Sequence, residues 1–351
     1  MKSKKTNNKK SSSKLVQFFK IFVILATSAL ICITTYFVYL TKQAEMAANN
    51  AYEDIGRNSS KRDEVVNAAT DNVSVLFIGI DDSEKRGQGA ESSRSDALIL
   101  ATLNNKNKTI KLLSIPRDSY VYIPYVGYKD KITHAHSFGE TSASVETIEE
   151  LFDIPIDYYV RLNFNAFIDV VDALDGVEVE VPYDILEKDE NDFSTVQLKE
   201  GLQTLDGREA LALARTRKAD SDLERGKRQQ EILKAIIYKA ASVSALTKYD
   251  DVIEAVGDNM RTNMEFSEMK SFVAYLSSGV PSIETLNLDG SDSWEGGYYY
   301  ILNEQSVQDT SDILKNHLGL TSSTYTIDTD DESNHAEQSQ DSSNNTYNSS
   351  Y

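Results

Sequence analysis

The sequence predicts an α/β fold, a three-layer α/β/α domain with a central mixed sheet, preceded by a single N-terminal transmembrane helix. Three observations lead to this prediction. Short apolar runs alternate with amphipathic helical segments after residue 72, one uncharged stretch of 20 residues lies near the N-terminus, and 40% of the 351 residues are hydrophobic. That hydrophobic content excludes wholesale disorder and is sufficient for a buried core.

The membrane helix is predicted at residues 21–40. This stretch contains no charged residue, and as a helix it would be about 30 Å long, which matches the hydrocarbon thickness of a bilayer. A buried core helix would normally show a polar face, and a cleaved signal peptide would have a shorter apolar run. Residues 1–40 hold seven Lys and no acidic residue, so the positive-inside rule places residues 1–20 in the cytosol. Everything after residue 41 is then extracellular, at the outer face of the cell membrane.

Composition excludes several classes of function. Residues 41–351 carry 29 basic and 55 acidic residues, a formal charge of −26, which argues against a nucleic-acid partner. The single cysteine, Cys32, lies in the apolar run, so the sequence has neither a disulfide framework nor a Cys/His zinc motif. We divide the exported part into a stalk at 41–71, one domain at 72–320 and a disordered, acidic, Ser/Asn-rich tail at 321–351.

The elements of the domain follow from periodicity and turn residues. Strands are predicted at 73–80, 97–103, 109–115, 158–162 and 177–181. Helices are predicted at 144–151, 164–174, from Asp206 onward, and at about 222–242, 249–258 and 265–277. Asp206 and Glu209 have the spacing of a capping box, and Asp222 is placed to cap the helix that follows it.

Charged residues flank the first three strands. They are Asp81 and Asp82 after the first strand, Arg94 and Asp96 before the second, and Arg117 and Asp118 after the third. If the second and third strands form a hairpin and the first runs parallel to the third, these side chains meet at one end of the sheet. The alternative is that they are ordinary solvated flanks of strands. Paired carboxylates at an open site suit Mg²⁺, which takes one or two protein carboxylates together with water and substrate phosphates.

A second cluster is basic within an otherwise acidic domain. Five of the twelve Arg of the chain fall within 21 residues, and the cluster consists of Arg208, Arg215, Arg217, Lys218, Arg225, Lys227 and Arg228. Arg225, Arg228 and Gln229 share one face of the predicted helix. Guanidinium groups bind phosphate through two parallel hydrogen bonds, so the cluster is a candidate polyanion site. An ion-pair network that joins two helices is the alternative.

Two weaker features each allow a functional and a structural interpretation. The stretch Lys131–His136 contains two His that could act as a ligand or an acid, or could be structural. Tyr120, Tyr122, Tyr125 and Tyr128 could line a glycan groove or could pack a loop.

Taken in order, these motifs resemble the LytR–CpsA–Psr proteins of Gram-positive cell walls. The resemblance covers residues 72–240 and rests on Ile78–Asp81, Arg94–Asp96, Ser114–Asp118, Lys131–Ala135, Val170–Val181, Ala214–Arg217 and Arg225–Gln230. The sequence departs from the family pattern at four positions. Thr133 stands where Asn is usual, Asp175 where a Gly-Gly pair is expected, Thr216 where Tyr is common, and Glu224 where Gly often precedes the next Arg.

The resemblance implies a phosphotransferase. Its donor would be an undecaprenyl-pyrophosphate-linked anionic glycopolymer such as wall teichoic acid or capsule, its acceptor a peptidoglycan sugar hydroxyl, and its cofactor Mg²⁺. The residues implied to hold the pyrophosphate are Arg94, Arg117, Arg215, Arg217, Arg225, Arg228 and Gln229. Asp81 and Asp96 would hold the metal, and with Arg94 and Arg117 they would form the catalytic group, although the doublet leaves Asp82 as a competing ligand. The prenyl chain would occupy an apolar groove between sheet and helices. The rival functions are a membrane-anchored prenyl-pyrophosphate sensor without turnover and a lipid pyrophosphatase.

Overall fold

The computed structural model describes residues 11–56, 59, 61–62, 66–81, 94–189, 194–217, 221–242, 252 and 259–320. Residues up to Leu320 group as one compact unit. Asp82, the predicted tail at 321–351 and the predicted helix at 249–258, apart from Val252, lie outside the described residues.

A six-stranded mixed sheet forms the centre of the domain. Its strands, in spatial order, are β11 (Met260–Thr262), β6 (Tyr158–Leu162), β1 (Val73–Ile80), β2 (Ser95–Asn104), β3 (Thr109–Ser114) and β12 (Ser282–Leu286). β1 pairs antiparallel with β2 and parallel with β6, whereas β3 pairs antiparallel with β2 and parallel with β12. The predicted hairpin of the second and third strands is therefore present, and the first and third strands run in the same direction.

Helices cover both faces of this sheet. They are α1 (Ser11–Ala51), α2 (Thr133–Phe152), α3 (Phe164–Ala173), α4 (Gly207–Arg215), α5 (Asp222–Ala240), α6 (Phe266–Ser277) and α7 (Glu304–Leu318). Successive side chains of a strand point to opposite faces. Leu76 and Ile78 of β1 accordingly join one core with α2 and α7, while Val75 and Phe77 join the core on the side of α5 and α6. The predicted three-layer α/β/α class with a mixed sheet is confirmed.

The described residues also form four two-stranded ribbons outside the central sheet. They are β4 (Tyr120–Ile123) with β5 (Tyr128–Lys131), β7 (Val177–Val181) with β10 (Gly201–Leu205), β8 (Ile185–Lys188) with β9 (Thr195–Leu198), and β13 (Gly290–Ser293) with β14 (Tyr299–Leu302). The turn before β7 contains Asp175 at φ 58° and Gly176 at φ 80°. This left-handed backbone is the conformation that a Gly-Gly pair adopts without strain, and Asp is among the few other residues that enter it.

Two sequence predictions about helices were wrong in detail. The helix predicted at 144–151 begins at Thr133, because α2 continues through a kink at Gly139 and Glu140, where the backbone leaves helical geometry. The cap predicted at Asp222 is one residue earlier. Ser221 accepts from the backbone N–H of Glu224, and Asp222 is the first residue of α5. The capping box of Asp206 and Glu209 is present at the start of α4.

α1 is, within the described part of the chain, the one helix long and apolar enough to cross a membrane. It extends beyond the predicted span and ends against the domain. Ala44, Ala48 and Ala51 are buried there, at a spacing that places them on one helix face. The segment after the helix is held by an ion pair of 3.1 Å between Glu53 and Arg161.

Candidate active site

A cavity of 870 Å³ lies between the sheet and the layer that contains α3 to α6. Its lining has a charged mouth and an apolar interior. Eight of the nine predicted site residues line it: Asp81, Arg94, Asp96, Arg117, Arg215, Arg217, Arg225 and Gln229. Arg228 is the ninth predicted residue and is not part of this lining.

The strand ends place the acidic residues of the mouth. Asp81 follows β1 directly and is 5% exposed. Gly79 pairs with Ala97 and Ile80 pairs with Ser95, so the register shifts and Asp96 is the extra residue of a bulge in β2. Bulges turn side chains away from the regular pleat, and here the side chain of Asp96 becomes part of the cavity lining.

An ion-pair network connects the end of β3 to the start of α5. Arg117 Nη1 lies 2.7 Å from Asp96 Oδ1, and Arg117 Nε lies 3.5 Å from Asp118 Oδ2. Asp222 is the hub of the network, at 3.2 Å from Arg225 Nη1, 3.8 Å from Arg217 Nε and 4.0 Å from Arg117 Nε. Asp222 therefore gathers three guanidinium groups from three separate segments and offsets their mutual repulsion.

Burial strengthens the electrostatics of this mouth. The side chain of Arg225 is 6% exposed, and burial, together with the nearby Arg217 and Arg117, lowers its pKa to about 10 even though Asp222 opposes the shift. Burial raises the pKa of Asp118, but the hydrogen bond from Lys131 and the charge of Arg117 outweigh it, so the net pKa lies below its usual value. At neutral pH Arg225 is therefore a cation and Asp118 an anion, so the ion-pair network of the mouth stays charged.

Gly226 allows α5 to approach the sheet closely. A Cβ on Gly226 would lie 2.6 Å from Ser114 Oγ at the end of β3. Arg225 precedes Gly226 on α5, and Arg117 follows the end of β3. The close approach of helix and strand therefore places these two arginines near each other.

The C-terminus of α4 supplies another part of the mouth. Its last carbonyls have no intrahelical donors and need other partners. Gln229 Nε2 donates to Ala214 O at 3.2 Å, while Arg228 donates from Nε to Leu213 O at 3.3 Å and from Nη2 to Thr216 O at 2.7 Å. Arg228 is 8% exposed and caps this helix end, so the structure separates it from Arg225, with which the sequence grouped it.

Arg215 has a different environment from Arg217. Its guanidinium carbon lies 4.6 Å from the ring centroid of Phe164, and its Nη1 donates to Asp189 O at 3.3 Å. Arg217 has a side chain that is 47% exposed. The two arginines are thus fixed to different degrees although they are two residues apart.

The interior of the cavity is apolar. Sheet residues, including Met260 of β11, form one wall, and residues of α5 and α6 form the opposite wall. The apolar lining includes Phe77, Ile99, Val160, Leu162, Phe167, Leu211, Ile232, Leu233, Ile236, Met260, Met264, Met269, Phe272 and Val273.

The histidine motif does not reach this cavity. His134 pairs with Asp130 at 2.9 Å, and His136 is fully buried in α2. Thr133 anchors the start of α2 by donating from Oγ1 to Ser95 O at 2.6 Å. Sequence reasoning missed Asp222 as a hub and Phe164 as a partner of Arg215; the only signal for Asp222 was an acid within the arginine-rich segment.

The described residues contain no group of three or more His, Cys, Asp and Glu side chains suited to a metal ion. Asp81 and Asp96, which both line the mouth, offer two hard carboxylates. Such a pair fits Mg²⁺, which fills its remaining positions with water and phosphate oxygens, and does not fit a cage formed only by protein ligands.

Comparisons with known proteins find a family match and curated relatives over most of the chain. The model of the LytR_cpsA_psr family matches residues 36–316. The chain is 41% identical to the polyisoprenyl-teichoic acid–peptidoglycan teichoic acid transferase TagT of Bacillus subtilis, over 90% of this chain and 99% of that protein. It is 37% identical to the transferase TagV of the same organism, over 88% of this chain and 81% of that protein.

Solved structures show the same fold. A structure of TagT bound to LIIa-WTA has a TM-score of 0.63 and 42% identity, over 75% of this chain and 97% of that one. A structure of TagT with bound octaprenyl pyrophosphate lipid has a TM-score of 0.59 and 38% identity, over 75% of this chain and 97% of that one.

Proposed function

The chain belongs to the LytR–CpsA–Psr family, and we propose that it transfers an anionic glycopolymer from an undecaprenyl pyrophosphate carrier to a sugar hydroxyl of peptidoglycan. One observation carries the proposal. A single cavity joins an arginine-rich mouth to an apolar interior, and this shape complements a ligand with a pyrophosphate head and a long hydrocarbon tail. The relative with bound octaprenyl pyrophosphate supports this choice of donor class.

In the proposed step a sugar hydroxyl oxygen attacks the phosphorus that carries the polymer. A sugar O–P bond forms, the bond from this phosphorus to the bridging oxygen breaks, and prenyl monophosphate leaves with the electron pair while the hydroxyl proton is released. Arg117, Arg217 and Arg225 stabilise the charge that develops on the phosphates. Such transfer depends mainly on positioning and charge neutralisation, so arginines held in place beforehand are the required machinery.

Asp81 and Asp96 are the proposed ligands of Mg²⁺. When bound, the ion would supply charge neutralisation at the phosphate oxygens. Arg117 binds Asp96 directly, so this carboxylate is oriented before donor or metal enters.

We further propose that residues 1–20 are cytosolic and that the domain lies outside the membrane. The basic N-terminal segment and the apolar α1 support this orientation. Protease added to intact protoplasts should degrade the domain. Complete protection would contradict the orientation.

The test of function uses the full-length chain in nanodiscs. Incubation with lipid-linked polymer, Mg²⁺ and glycan strands of peptidoglycan should yield polymer covalently attached to glycan. A protein that binds donor with no product would be a binding or sensory protein, and release of free polymer phosphate would indicate a pyrophosphatase.

A further inference from the structure

Exposed and half-buried aromatic residues of two β-ribbons, including the turn between β13 and β14, cluster beside the mouth of the cavity. We call them the aromatic platform: Tyr120, Tyr122, Trp294, Tyr298 and Tyr299. Trp294 is 75% exposed, Tyr122 45% and Tyr120 39%. None of these residues lines the cavity, so the proposed donor site does not account for them.

Ring contacts hold the platform together. The Tyr120 and Tyr299 centroids lie 4.9 Å apart in an edge-on arrangement, and those of Trp294 and Tyr298 lie 5.0 Å apart. Tyr122 is two residues after Tyr120 on β4, so it lies on the same exposed face, while Val121 and Ile123 point into the core. Four of the rings are therefore held in two contacting pairs, and the position of Tyr122 is set by its strand.

Lys131 and Asp118 connect the aromatic platform to the mouth of the cavity. Lys131 Nζ lies 5.6 Å from the ring centroids of both Tyr298 and Tyr299, and 2.7 Å from Asp118 Oδ1. Asp118 in turn pairs with Arg117 at the mouth. The ribbons are also joined through the backbone, because Tyr300 N donates to Asp118 O at 2.9 Å.

The chemistry of this surface suits a carbohydrate. Aromatic faces carry partial negative charge and attract the C–H groups on the flat side of a pyranose ring, while tyrosine hydroxyls and the indole N–H offer hydrogen bonds. Two carboxylates lie beside the rings: Asp118, which pairs with Lys131 at 2.7 Å, and Asp292, which accepts from the hydroxyl of Tyr298 at 3.0 Å. Two lysines of β5 lie on the same face, Lys131 opposite Tyr120 and Lys129 opposite Tyr122. The two acids offset the charge of the two lysines, so this face has no excess positive charge to attract a polyanion or an anionic bilayer surface.

We propose that the aromatic platform binds the glycan strand of the acceptor and guides one sugar hydroxyl to the mouth. The proposal rests on the proposed transferase function. It names a subsite for the acceptor, separate from the arginine site of the donor.

Trp294 is the only tryptophan of the chain, so its emission reports directly on the platform. The full-length protein in phosphatidylcholine nanodiscs would be titrated with linear glycan strands released from peptidoglycan by an amidase. We expect a saturable change of Trp294 emission. Tyr122→Ala should raise the half-saturating glycan concentration about tenfold, the equivalent of about 1.4 kcal/mol. Tyr238→Ala is the matched control, since Tyr238 is 38% exposed on α5 and lies outside the platform; it should leave the titration unchanged.

Further measurements distinguish glycan binding by the platform from donor binding and from contact with the bilayer. Tyr122→Ala should leave the binding of geranylgeranyl pyrophosphate unchanged, whereas Arg217→Ala should weaken it. The emission titration needs no turnover, so it still decides the proposal if the transfer reaction fails. A flat emission response, or equal half-saturation in Tyr122→Ala and wild type, would overturn the proposal. Strong quenching of Trp294 by dibrominated lipid in the nanodisc would also overturn it, because the platform would then contact the bilayer.

Discussion

Arg217 can be used to distinguish a phosphate-binding role from a structural one, because its side chain is 47% exposed and its ion pair with Asp222 is 3.8 Å long. A surface pair of this kind contributes about 0–1 kcal/mol to stability. A charge-assisted bond to phosphate contributes about 1.5–3 kcal/mol. The two roles therefore predict different consequences of the same substitution.

Arg217→Ala should weaken donor binding or turnover by about ten- to a hundredfold, with little change in melting temperature. Arg217→Lys should be nearly as harmful, since an ammonium keeps the charge but loses the planar fork. The measurements are prenyl-pyrophosphate affinity and thermal unfolding of the same preparations. Lys227→Ala is the control, because Lys227 is a similarly exposed cation on the neighbouring α5 and pairs only with Glu224 in the described structure. A lower melting temperature with undiminished affinity would support salt bridges instead.

Asp96→Ala should abolish the stimulation of transfer by Mg²⁺ if this carboxylate holds the metal. Its pair with Arg117 is about one-quarter exposed on each side, so the cost in unfolding free energy should stay near 1 kcal/mol. Activity as a function of Mg²⁺ concentration, with chelator as the zero point, is the readout. Full stimulation in the variant would exclude Asp96 as a ligand.

For single residues, the sequence predicted which charged side chains meet at one end of the sheet. It did not predict how each of these side chains is oriented. Eight of the predicted residues line one cavity because strand ends and a helix start converge there. Arg228 is separated from them because three residues of helix rotate its side chain toward the end of α4. A periodicity argument places both arginines on one broad face and cannot distinguish these two directions.

Among elements, α7 is attached to the sheet by a buried histidine. His317 Nδ1 lies 2.8 Å from Thr102 Oγ1 on β2, and its Nε2 lies 2.8 Å from Thr109 Oγ1 on β3. Burial, reinforced by Lys111 and opposed by Glu284, lowers the pKa of His317 to about 4. The folded state therefore requires the neutral ring.

Stability should fall as pH drops from about 6.5 to 4. In this window the unfolded chain binds a proton at His317 and the folded chain does not, so protonation favours unfolding by up to about 3 kcal/mol. Above about pH 6.5 this contribution is fully present. Denaturant unfolding across the window should show the slope in wild type and a flatter profile in His317→Gln. An unchanged slope in the variant would assign the effect to other groups.

The junction of α1 with the domain depends on small side chains. Ala48 is 1% exposed and packs in the core that contains Val73 and Met269. Ala48→Asp would bury an unpaired charge and should cost about 3 kcal/mol or more. Asn49→Asp, at an exposed neighbouring position, is the control and should be neutral. Equal melting temperatures of the two variants in detergent would show that the helix end does not dock on the domain.

Strands with apolar or alternating patterns were predictable, including β7 of one ribbon, whereas the shortest ribbon strands were not. β1, β2 and β3 have mainly apolar runs, and the register of β2 with β3 follows from the short turn between Asn104 and Thr109. β8, β9 and β13 contain four residues each with few apolar side chains, so no periodicity distinguishes them from loops. The start of α2 was missed because the kink at Gly139 interrupts its pattern.

For the whole molecule, the sequence predicted the classes of its parts, while the cavity required the structure. An apolar helix long enough to cross a membrane, an acidic chain after residue 41 and a basic cluster follow from composition. The apolar interior is formed by residues from seven or more elements, each of which reads in the sequence as an ordinary core residue. Only their arrangement leaves a space of 870 Å³ beneath the arginines.

The combination of this cavity with a membrane helix is the central claim of the account. If the donor lipid and the transferase are both anchored in one bilayer, both diffuse in the plane of that membrane. The head group of the carrier then stays within reach of the mouth. Hydrolysis and transfer break the same bond and differ only in the attacking oxygen.

The most direct test is therefore the source of that oxygen. The full-length chain in nanodiscs would be given lipid-linked polymer, glycan strands and Mg²⁺ in water enriched in ¹⁸O, and the products analysed by mass spectrometry. We expect one prenyl monophosphate for each polymer–glycan phosphodiester, with no ¹⁸O in either product. Polymer phosphate or prenyl phosphate containing ¹⁸O would show that water is the acceptor and would contradict the transferase account.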